Sequence, residues 1–337
     1  MIDETPTITT VARLANVSVA SASRVLNGIR TTPDVLARVI DAAEKVGYVP
    51  NAAARSLRSR RTGQIAFAMP DVANPVYTTM VAAIQEVVRE GGWRLMLHST
   101  GADIADELAI VRDLKQRFVD GLILVSLRMT EAHAAELAAA AAPVVVMIGR
   151  PLKGARVDTV RANSRPGAAD AVRHLHAAGR RRIGFVNGPQ ETVPATTRRL
   201  GYLDGLRACG LERNDSLVEV ADDFMVEPGR AAAARLLERA APDAIFCAND
   251  LLAIGTLAAL REARLKVPDD VAVVGMDNTY LCDVTCPPLT TIDLGAAERA
   301  RIAAELLLKR IERPNRKPRT FGVEPRLVVR ATCGASA

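Results

Sequence analysis

The chain has 337 residues, of which 49 % are hydrophobic and 24 % charged, with five cysteines and a net charge of +6. This composition excludes a largely disordered chain, and the length suits two or three globular domains. No apolar run approaches the roughly 18 residues of a membrane span, the first residues lack a signal-peptide pattern, and the cysteines are too scattered for a disulfide framework. We therefore expect a cytoplasmic protein without a membrane segment.

Positive charge is concentrated at the start of the chain. Residues 1–61 hold nine Arg or Lys and five Asp or Glu, whereas the remaining 276 residues hold 35 and 33. A basic segment on a nearly neutral body favours a polyanionic partner such as nucleic acid. Four surplus charges are also compatible with an ordinary solvated surface, so the charge pattern alone leaves both interpretations open.

The first 50 residues have the pattern of three short helices. Only residues 15–17 separate the first two, and Asn16 tolerates the left-handed conformation that so tight a turn needs. Each helix begins at a small polar residue that can cap it: Thr9 or Thr10, then Ser18, then Thr32 followed by Pro33. Two helices joined by a tight turn and supported by a third are typical of a helix-turn-helix DNA-binding domain.

From Gln64 onward, short apolar runs alternate with helical stretches of roughly 11–15 residues. The apolar runs cover residues 64–69, 95–98, 121–126, 144–148, 183–187, 244–248 and 271–275. Fully apolar strands that alternate with helices predict parallel sheets covered on both faces. The units are too many for one sheet, so we expect two doubly wound α/β lobes that divide near residue 160. Ligands of such folds bind beyond the carboxyl ends of the strands, which places a binding site in the cleft between the lobes.

Signatures of catalysis and of metal binding are weak. The sequence contains no GxGxxG, Walker A, GxSxG or HExxH motif. His174 and His176 are two residues apart in a helical stretch and so point to different faces, and we interpret Cys282 and Cys286 as ordinary thiols. We therefore expect no enzymatic activity, no cofactor and no metal site.

Several motifs resemble the lactose-repressor (LacI/GalR) family of bacterial transcription regulators. In the head these are ITTVARLANVSVASASRVLNG at 8–28 and EKVGYVPNAAARSL at 44–57. In the body they are MPDVANP at 69–75, VDGLI at 119–123, RLGYLDG at 199–205, AND at 248–250, VGMDN at 274–278 and PLTTI at 288–292. They follow one another in the family's order along essentially the whole chain, which makes the resemblance specific.

The resemblance implies a helix-turn-helix head (1–49), a hinge helix and linker (50–61) and a body (62–337) similar to periplasmic sugar-binding proteins. Lobe one would comprise about 62–160 and 294–320, and lobe two about 161–293 and 321–337. Such regulators are typically dimers that bind a pseudo-palindromic operator and change their DNA affinity when a small molecule, often a sugar or a derivative, enters the cleft. No heptad pattern follows the last strand-like segment, so we expect a homodimer rather than a tetramer.

The resemblance also assigns residues to the DNA. Val19, Ala20 and Arg24 would face the major groove, where Arg24 can donate two hydrogen bonds to guanine; a contact of Arg24 with phosphate alone is the alternative. Leu57 would insert into the minor groove, unless it is merely an apolar linker residue. Backbone contacts would come from Ser18, Ser21, Ser23 and Asn27, and the hinge segment 51–58 would add Asn51 and Arg55.

In the cleft, the resemblance indicates Asp71, Tyr77, Arg150, Arg199, Phe224, Asn249 and Asp277 as effector-binding residues. Carboxylates, amides and guanidinium groups beside aromatic rings suit a ligand rich in hydroxyl groups. Two alternatives stay open: Arg199 and Asp277 pair with each other as a structural bridge, and Asp250 caps the helix that follows it.

Two other classes of protein share the predicted body. A solute-binding protein of a sugar transporter would have the same two lobes, but it would need an export signal and has no use for residues 1–60. A doubly wound enzyme is disfavoured by the missing catalytic motifs. The sequence therefore favours a DNA-binding repressor controlled by a small molecule.

Overall fold

The computed structural model describes residues 6–29, 31–49, 61–140, 143–147 and 157–334. These fall into two units, of which the first ends at Thr62 and the second begins at Gly63. The predicted hinge helix, with Asn51, Arg55 and Leu57, lies outside the described residues, and so does Arg150. None of the described helices is both long enough and apolar enough to span a membrane.

Within its described residues, the first unit has the three helices that the sequence predicts for the head: α1 (Ile8–Leu14), α2 (Val19–Leu26) and α3 (Pro33–Lys45). Their apolar faces meet in a small core that includes Val11, Ala22, Val25 and Val39. Asn16 between α1 and α2 has a φ of 52°, the left-handed conformation expected for the tight turn. The arrangement is a helix-turn-helix with a third, supporting helix.

The start of the first helix differs from the prediction. Thr7, rather than Thr9 or Thr10, is the N-cap of α1, and its hydroxyl accepts a hydrogen bond from the backbone N–H of Thr10 at 3.3 Å. The side chain of Thr10 in turn accepts from the backbone N–H of Thr7. This reciprocal capping box needs the two residues three positions apart, which explains why the helix begins earlier than the apolar pattern suggests.

The second unit alternates strands and helices. Its first part consists of β1 (Gln64–Met69), α4 (Pro75–Glu90), β2 (Arg94–Ser99), α5 (Ile104–Asp113), β3 (Gly121–Val125), α6 (Glu131–Ala138), β4 (Val144–Met147) and β5 (Asp158–Ala162). Its second part consists of α7 (Ser164–Ala177), β6 (Ile183–Asn187), α8 (Val193–Ala208), β7 (Val218–Val220), α9 (Val226–Arg239), β8 (Ala244–Cys247), α10 (Asp250–Glu262), β9 (Ala272–Met276) and β10 (Thr290–Asp293). It ends with α11 (Ala296–Glu312), β11 (Thr320–Val323) and β12 (Arg326–Val328).

The strands form two six-stranded sheets, which confirms the predicted pair of α/β lobes. Lobe one has the order β11-β5-β4-β3-β1-β2 and lobe two the order β12-β10-β9-β8-β6-β7. All pairings are parallel except that of β12 with β10. The chain passes between the lobes after β5, β10 and β11, so the strands of lobe one extend to residues 162 and 323, two to three residues beyond the predicted limits.

Each sheet is covered by helices on both faces. In β1, Ile65 and Phe67 belong to the core cluster that contains residues of α4 and α11, whereas Ala66 and Ala68 belong to the cluster on the opposite face. In lobe two, Phe185 of β6 stacks on Tyr202 of α8, with ring centroids 4.8 Å apart. Because both faces of each sheet are packed, the edge formed by the carboxyl ends of the strands is left to bind ligands.

Candidate functional site

The head presents one polar face, formed by the start and the outer side of α2. Ala22 and Val25 of α2 are buried, whereas the side chains on the opposite side of the helix face solvent. Of the predicted DNA-binding residues, Ser18, Val19, Ala20, Arg24 and Asn27 are exposed, and Ser21 and Ser23 are half-buried.

Several polar groups on this face hold the helix itself. The Ser18 hydroxyl caps α2 by accepting from the Ser21 backbone N–H at 3.1 Å, and the two hydroxyls lie 2.9 Å apart. The side-chain amide of Asn27 donates to the Ser23 carbonyl at 2.7 Å. Arg24 has no ion pair or hydrogen bond to a side chain of the described residues, so its guanidinium group projects into solvent and is available to a partner.

Between the two lobes of the body lies a cavity of about 500 Å³. Its wall contains five of the predicted effector-binding residues: Asp71, Tyr77, Phe224, Asn249 and Asp277. Asp71, Asn249 and Asp277 come shortly after β1, β8 and β9, at the carboxyl ends of these strands. The fold therefore brings together side chains that lie up to about 200 residues apart in the sequence.

Arg199 is a correction. It lies outside the cavity wall, on the adjacent face of α8, and Arg198 takes the place in the wall that the motif had suggested for Arg199. The buried face of α8 includes Arg198, Gly201, Tyr202 and Gly205, which follow the helical spacing of three and four residues. A Cβ atom on Gly201 would lie 2.2 Å from the Arg165 carbonyl oxygen. Helix α8 therefore packs closely on α7 with Gly201 facing it, which fixes the side of α8 that is buried.

Arg198 and Asp277 form an ion pair on the cavity wall. The Arg198 Nη2 lies 3.2 Å from the Asp277 Oδ1, and the Nη1 donates to the Ala248 carbonyl at 2.5 Å. Both residues are only 8 % exposed. Burial raises the pKa of Asp277, and the charges of Arg198 and Arg299 oppose that rise. The sequence left open an ion pair between Arg199 and Asp277. In the structure, Asp277 forms this pair with Arg198 instead, at the edge of the cavity.

A second buried arginine on the wall, Arg299 of α11, was missed by the sequence analysis. It is 2 % exposed, and its Nε donates to the Leu294 carbonyl at 3.0 Å. Burial lowers its pKa to about 10. Its position on the same helical face as Ala296, Ala300 and Ala303 is the signal that locates it in the interior.

Aromatic side chains cover the apolar part of the cavity. Tyr77 of α4 is 5 % exposed and Phe224 is 8 % exposed. Burial, and next the charge of Asp277, raise the pKa of Tyr77 above its ordinary value, so its phenol stays protonated and able to donate. The aromatic rings of Tyr77 and Phe224 beside charged groups suit a ligand with one apolar and one hydroxylated side.

Asn249 and Asp250 have mainly structural hydrogen bonds. The Asn249 Oδ1 caps α10 by accepting from the Leu252 N–H at 2.9 Å, and its Nδ2 donates to the Phe224 carbonyl at 2.9 Å. Asp250 is not the cap: its carboxylate accepts from the Thr279 backbone N–H at 2.7 Å and from the Thr291 hydroxyl at 2.5 Å. Asn249 therefore positions the segment carrying Phe224, and Asp250 lies behind the cavity wall.

The cysteines and the run of three arginines at 180–182 have ordinary structural roles. The described part of the chain contains no group of three His, Cys, Asp or Glu side chains able to hold a metal ion. All five cysteines are free thiols. In the segment 180–182, the backbone N–H groups of Arg181 and Arg182 donate to the Asp243 carboxylate at 2.7 and 2.9 Å.

Comparisons with known proteins identify both units. Residues 7–51 match the model of bacterial regulatory proteins of the lacI family, and residues 172–333 match a periplasmic binding protein-like domain. The HTH-type transcriptional regulator DegA of Bacillus subtilis (strain 168) is 33 % identical over 336 residues, covering 96 % of this chain and 97 % of that protein.

Solved structures agree with this assignment. The complex of the transcriptional regulator CelR with cellobiose is 32 % identical, covers 97 % of this chain and 99 % of its own, and has a TM-score of 0.74. The lac repressor dimer bound to operator and the anti-inducer ONPF is 25 % identical, covers 98 % and 100 %, and has a TM-score of 0.87. Because similarity extends over both units of the chain, this protein belongs to the LacI family of bacterial regulatory proteins.

Proposed function

We propose that this transcription regulator is a repressor that binds a pseudo-palindromic operator as a homodimer and is controlled by a small molecule in the cavity of its body. The observation that carries the proposal is the coexistence, in one LacI-family chain, of an exposed recognition helix and a cavity walled by a buried Arg198–Asp277 pair. The family consists of transcription regulators rather than enzymes.

The DNA-binding part of the proposal rests on α2. Val19 and Ala20 are exposed at its first turn and offer apolar contact to thymine methyl groups, while Arg24 one turn later offers a bidentate donor for guanine. Ser18 at the helix N-terminus, with Ser21, Ser23 and Asn27, would contact the backbone and set the register. We extend the proposal to the hinge at 50–61, where Leu57 would open a central base step with support from Asn51 and Arg55.

Dimerisation is supported by apolar side chains on the surface of the body. Strand β2 lies at the edge of its sheet, and Met96 and Leu97 on it are 48 % and 50 % exposed. Tyr280 and Val284 in lobe two are 64 % and 73 % exposed. Exposed apolar residues at an unpaired sheet edge favour association with another chain. A two-fold dimer would present two heads to half-sites related by dyad symmetry.

The ligand of the cavity is, in this proposal, a sugar or a close derivative. A carboxylate such as that of Asp277 accepts hydrogen bonds from neighbouring hydroxyls, and a guanidinium group such as that of Arg198 donates to hydroxyl or ring oxygens. Asp71 and Asn249 would add polar contacts, and Tyr77 and Phe224 would cover the apolar face of the ring. Arg150, outside the described residues, remains a proposed contact, and Arg198 replaces Arg199. The related CelR is seen with cellobiose.

Selection of DNA from a random pool by the full chain tests the proposed function. We expect enrichment of sites with dyad symmetry and an affinity for them that falls steeply as salt rises, because contacts to phosphate release counterions. Gel shifts with the selected site should then change when a ligand from a panel of sugars and sugar derivatives is added. Enrichment of no sequence, or of sites without dyad symmetry, would contradict the proposal.

A further inference from the structure

Among the described residues, the cavity wall carries more cationic than anionic side chains. These are four arginines and three aspartates: Arg161, Arg165, Arg198, Arg299, Asp71, Asp223 and Asp277. Two of the arginines already have carboxylate partners. Arg198 pairs with Asp277, and the Nε of Arg165 donates to Asp204, which is not part of the wall, at 2.6 Å.

The remaining aspartates do not neutralise the interior of the cavity. Asp71 is half-buried and one of its oxygens accepts from the Ala73 backbone N–H at 2.9 Å. Asp223 is exposed and accepts from the Phe224 backbone N–H at 2.6 Å. Because both carboxylates reach solvent, water screens them, and the charge balance in the interior is set by Arg198, Asp277 and Arg299.

Of the three buried charged residues Arg198, Asp277 and Arg299, Arg299 is the one without an ion-pair partner among the described residues. Within the described residues its hydrogen bond is the one from Nε to the Leu294 carbonyl, and it forms no ion pair. Burial lowers its pKa, the charge of Asp277 opposes that, Arg198 lowers it further, and Asp293 raises it by a smaller amount. Asp293 is half-buried, and its carboxylate already accepts from the Gly295 backbone N–H at 2.7 Å. Two buried guanidinium groups thus share one buried carboxylate. A buried charge in excess is unfavourable until a counter-ion reaches it.

Two arginines of the wall each have a nitrogen atom without a partner in the described part of the chain. The Nε atoms of Arg161 and Arg198 are buried and have no hydrogen-bond partner among the described residues. A sugar hydroxyl both donates and accepts, whereas the oxygens of a carboxylate or a phosphate ester accept several hydrogen bonds and bring negative charge. An oxyanion is therefore the chemical group that compensates the surplus charge at the guanidinium groups of the wall.

Building on the proposed role of the cavity as an effector site, we propose that the effector carries an oxyanion, a carboxylate or a phosphate, in addition to hydroxyl groups, and that Arg299 recognises it. Arg198 and Asp277 bind the hydroxylated part, and Arg161 supplies a further donor. The ligand class is thus acidic sugars, meaning sugar acids or sugar phosphates, rather than neutral sugars.

Calorimetric titration of the full chain with matched sets of sugars tests the proposal. Each set contains a neutral aldose, the sugar acid derived from it and its phosphate ester. We expect one acidic member to bind roughly tenfold or more tightly than its neutral parent, because hydrogen bonds between charged groups are the strong ones. Which acid binds distinguishes a carboxylate from a phosphate. A neutral aldose that binds as tightly as, or more tightly than, both of its acidic derivatives overturns the proposal.

Three variants assign the preference to a residue. Arg299→Met removes the charge at similar length and should abolish the preference, Arg299→Lys should retain part of it, and Arg301→Met should leave it unchanged. Arg301 is the matched control because it lies on the same helix, is exposed and pairs with Glu86 at 3.2 Å. An unchanged preference in Arg299→Met overturns the assignment.

A ligand-independent measurement covers the case in which no sugar binds. Inorganic phosphate or acetate, compared with chloride at equal ionic strength, should raise the melting temperature of the wild type and of Arg301→Met but not that of Arg299→Met. An equal response of all three proteins overturns the oxyanion site. The proposed function fails separately, when the bound ligand leaves operator affinity unchanged.

Discussion

The guanidinium group of Arg198 lies 3.2 Å from the Asp277 carboxylate, and the two residues come from α8 and from the loop after β9. The pair joins helix α8 to the loop after β9 in lobe two, and its exposed edge forms part of the cavity. A buried pair of this kind holds the wall in one arrangement as long as both partners are present.

Removal of one partner should therefore destabilise the protein. We expect Arg198→Met to lower the free energy of unfolding by roughly 3 kcal/mol or more, because the buried Asp277 carboxylate then loses its ion-pair partner. Arg199→Met is the matched control on the next residue of the helix and should change stability by less than about 1 kcal/mol. Urea unfolding followed by circular dichroism measures both free energies; equal losses would contradict a stabilising role of the buried Arg198–Asp277 pair.

Closure of the cleft is the second feature that a variant can test. The Val193 backbone N–H of lobe two donates to the Leu127 carbonyl of lobe one at 2.8 Å, and Arg128 pairs with Glu191 at 3.0 Å beside it. An exposed ion pair contributes about 0.2–1 kcal/mol. Glu191→Gln should therefore speed ligand dissociation up to about fivefold. Stopped-flow measurements provide the rate, and Glu86→Gln, in the exposed pair with Arg301 of which neither residue lines the cavity, is the control; identical rates in all three proteins would argue against a role in closure.

Stability should depend on pH through Asp250. Burial raises its pKa to about 7, whereas aspartate in an unfolded chain titrates near 3.9. Between roughly pH 4 and pH 7 the folded protein thus keeps a proton that the unfolded chain has released, so stability is greatest below this window and is lost as the pH rises through it.

Asp250→Asn removes that proton exchange. The unfolding free energy of the variant should fall less steeply between pH 4 and pH 7, by up to about 1.4 kcal/mol per pH unit. Denaturant unfolding at a series of pH values gives the slopes. Asp269→Asn changes an exposed aspartate and should keep the wild-type slope; an Asp250 variant with the same slope as wild type would show that the carboxyl group is ionised throughout.

On the DNA, Arg24 separates base recognition from phosphate binding. If Arg24 donates to a guanine, Arg24→Ala should cost roughly 1–3 kcal/mol and relax the preference at one base pair of each half-site. Arg13→Ala, which removes an exposed charge from α1, should weaken all sequences alike. Binding to a set of single-base operator variants distinguishes base recognition from phosphate binding. If Arg24→Ala weakens binding to all variants equally, Arg24 contacts phosphate only.

Hydrophobic alternation was sufficient to predict the two lobes, but not every strand. Four strands were missed, and they are short or polar: β5 reads DTVRA, β7 reads VEV, β10 reads TTID and β11 reads TFGV. These sequences lack a continuous apolar run because parts of them lie at edges or at crossings between lobes, where neighbouring chain segments supply the packing. Their strand state follows from tertiary pairing and not from local pattern.

The site was harder to predict than the fold. Matching a motif by its letters led to Arg199, whereas the spacing of Gly201, Tyr202 and Gly205 indicates that position 198 faces inward. Arg299 could not be selected by residue type, because arginine normally marks the solvent side of a helix. Only its place in an otherwise alanine-rich buried stripe distinguishes it, and that requires the helix α11 to be recognised first.

Whether occupation of the cavity controls DNA binding is measured most directly by calorimetry on the selected operator and the bound ligand in all combinations. The factor by which the ligand changes operator affinity must equal the factor by which operator changes ligand affinity. Asp277→Ala should bind operator like the wild type, bind the ligand at least roughly tenfold more weakly and show no ligand-induced shift. If the wild type binds operator and ligand without either changing the affinity for the other, the cavity does not control DNA binding. An Asp277→Ala variant whose operator affinity still responds fully to the ligand would contradict the role of Asp277.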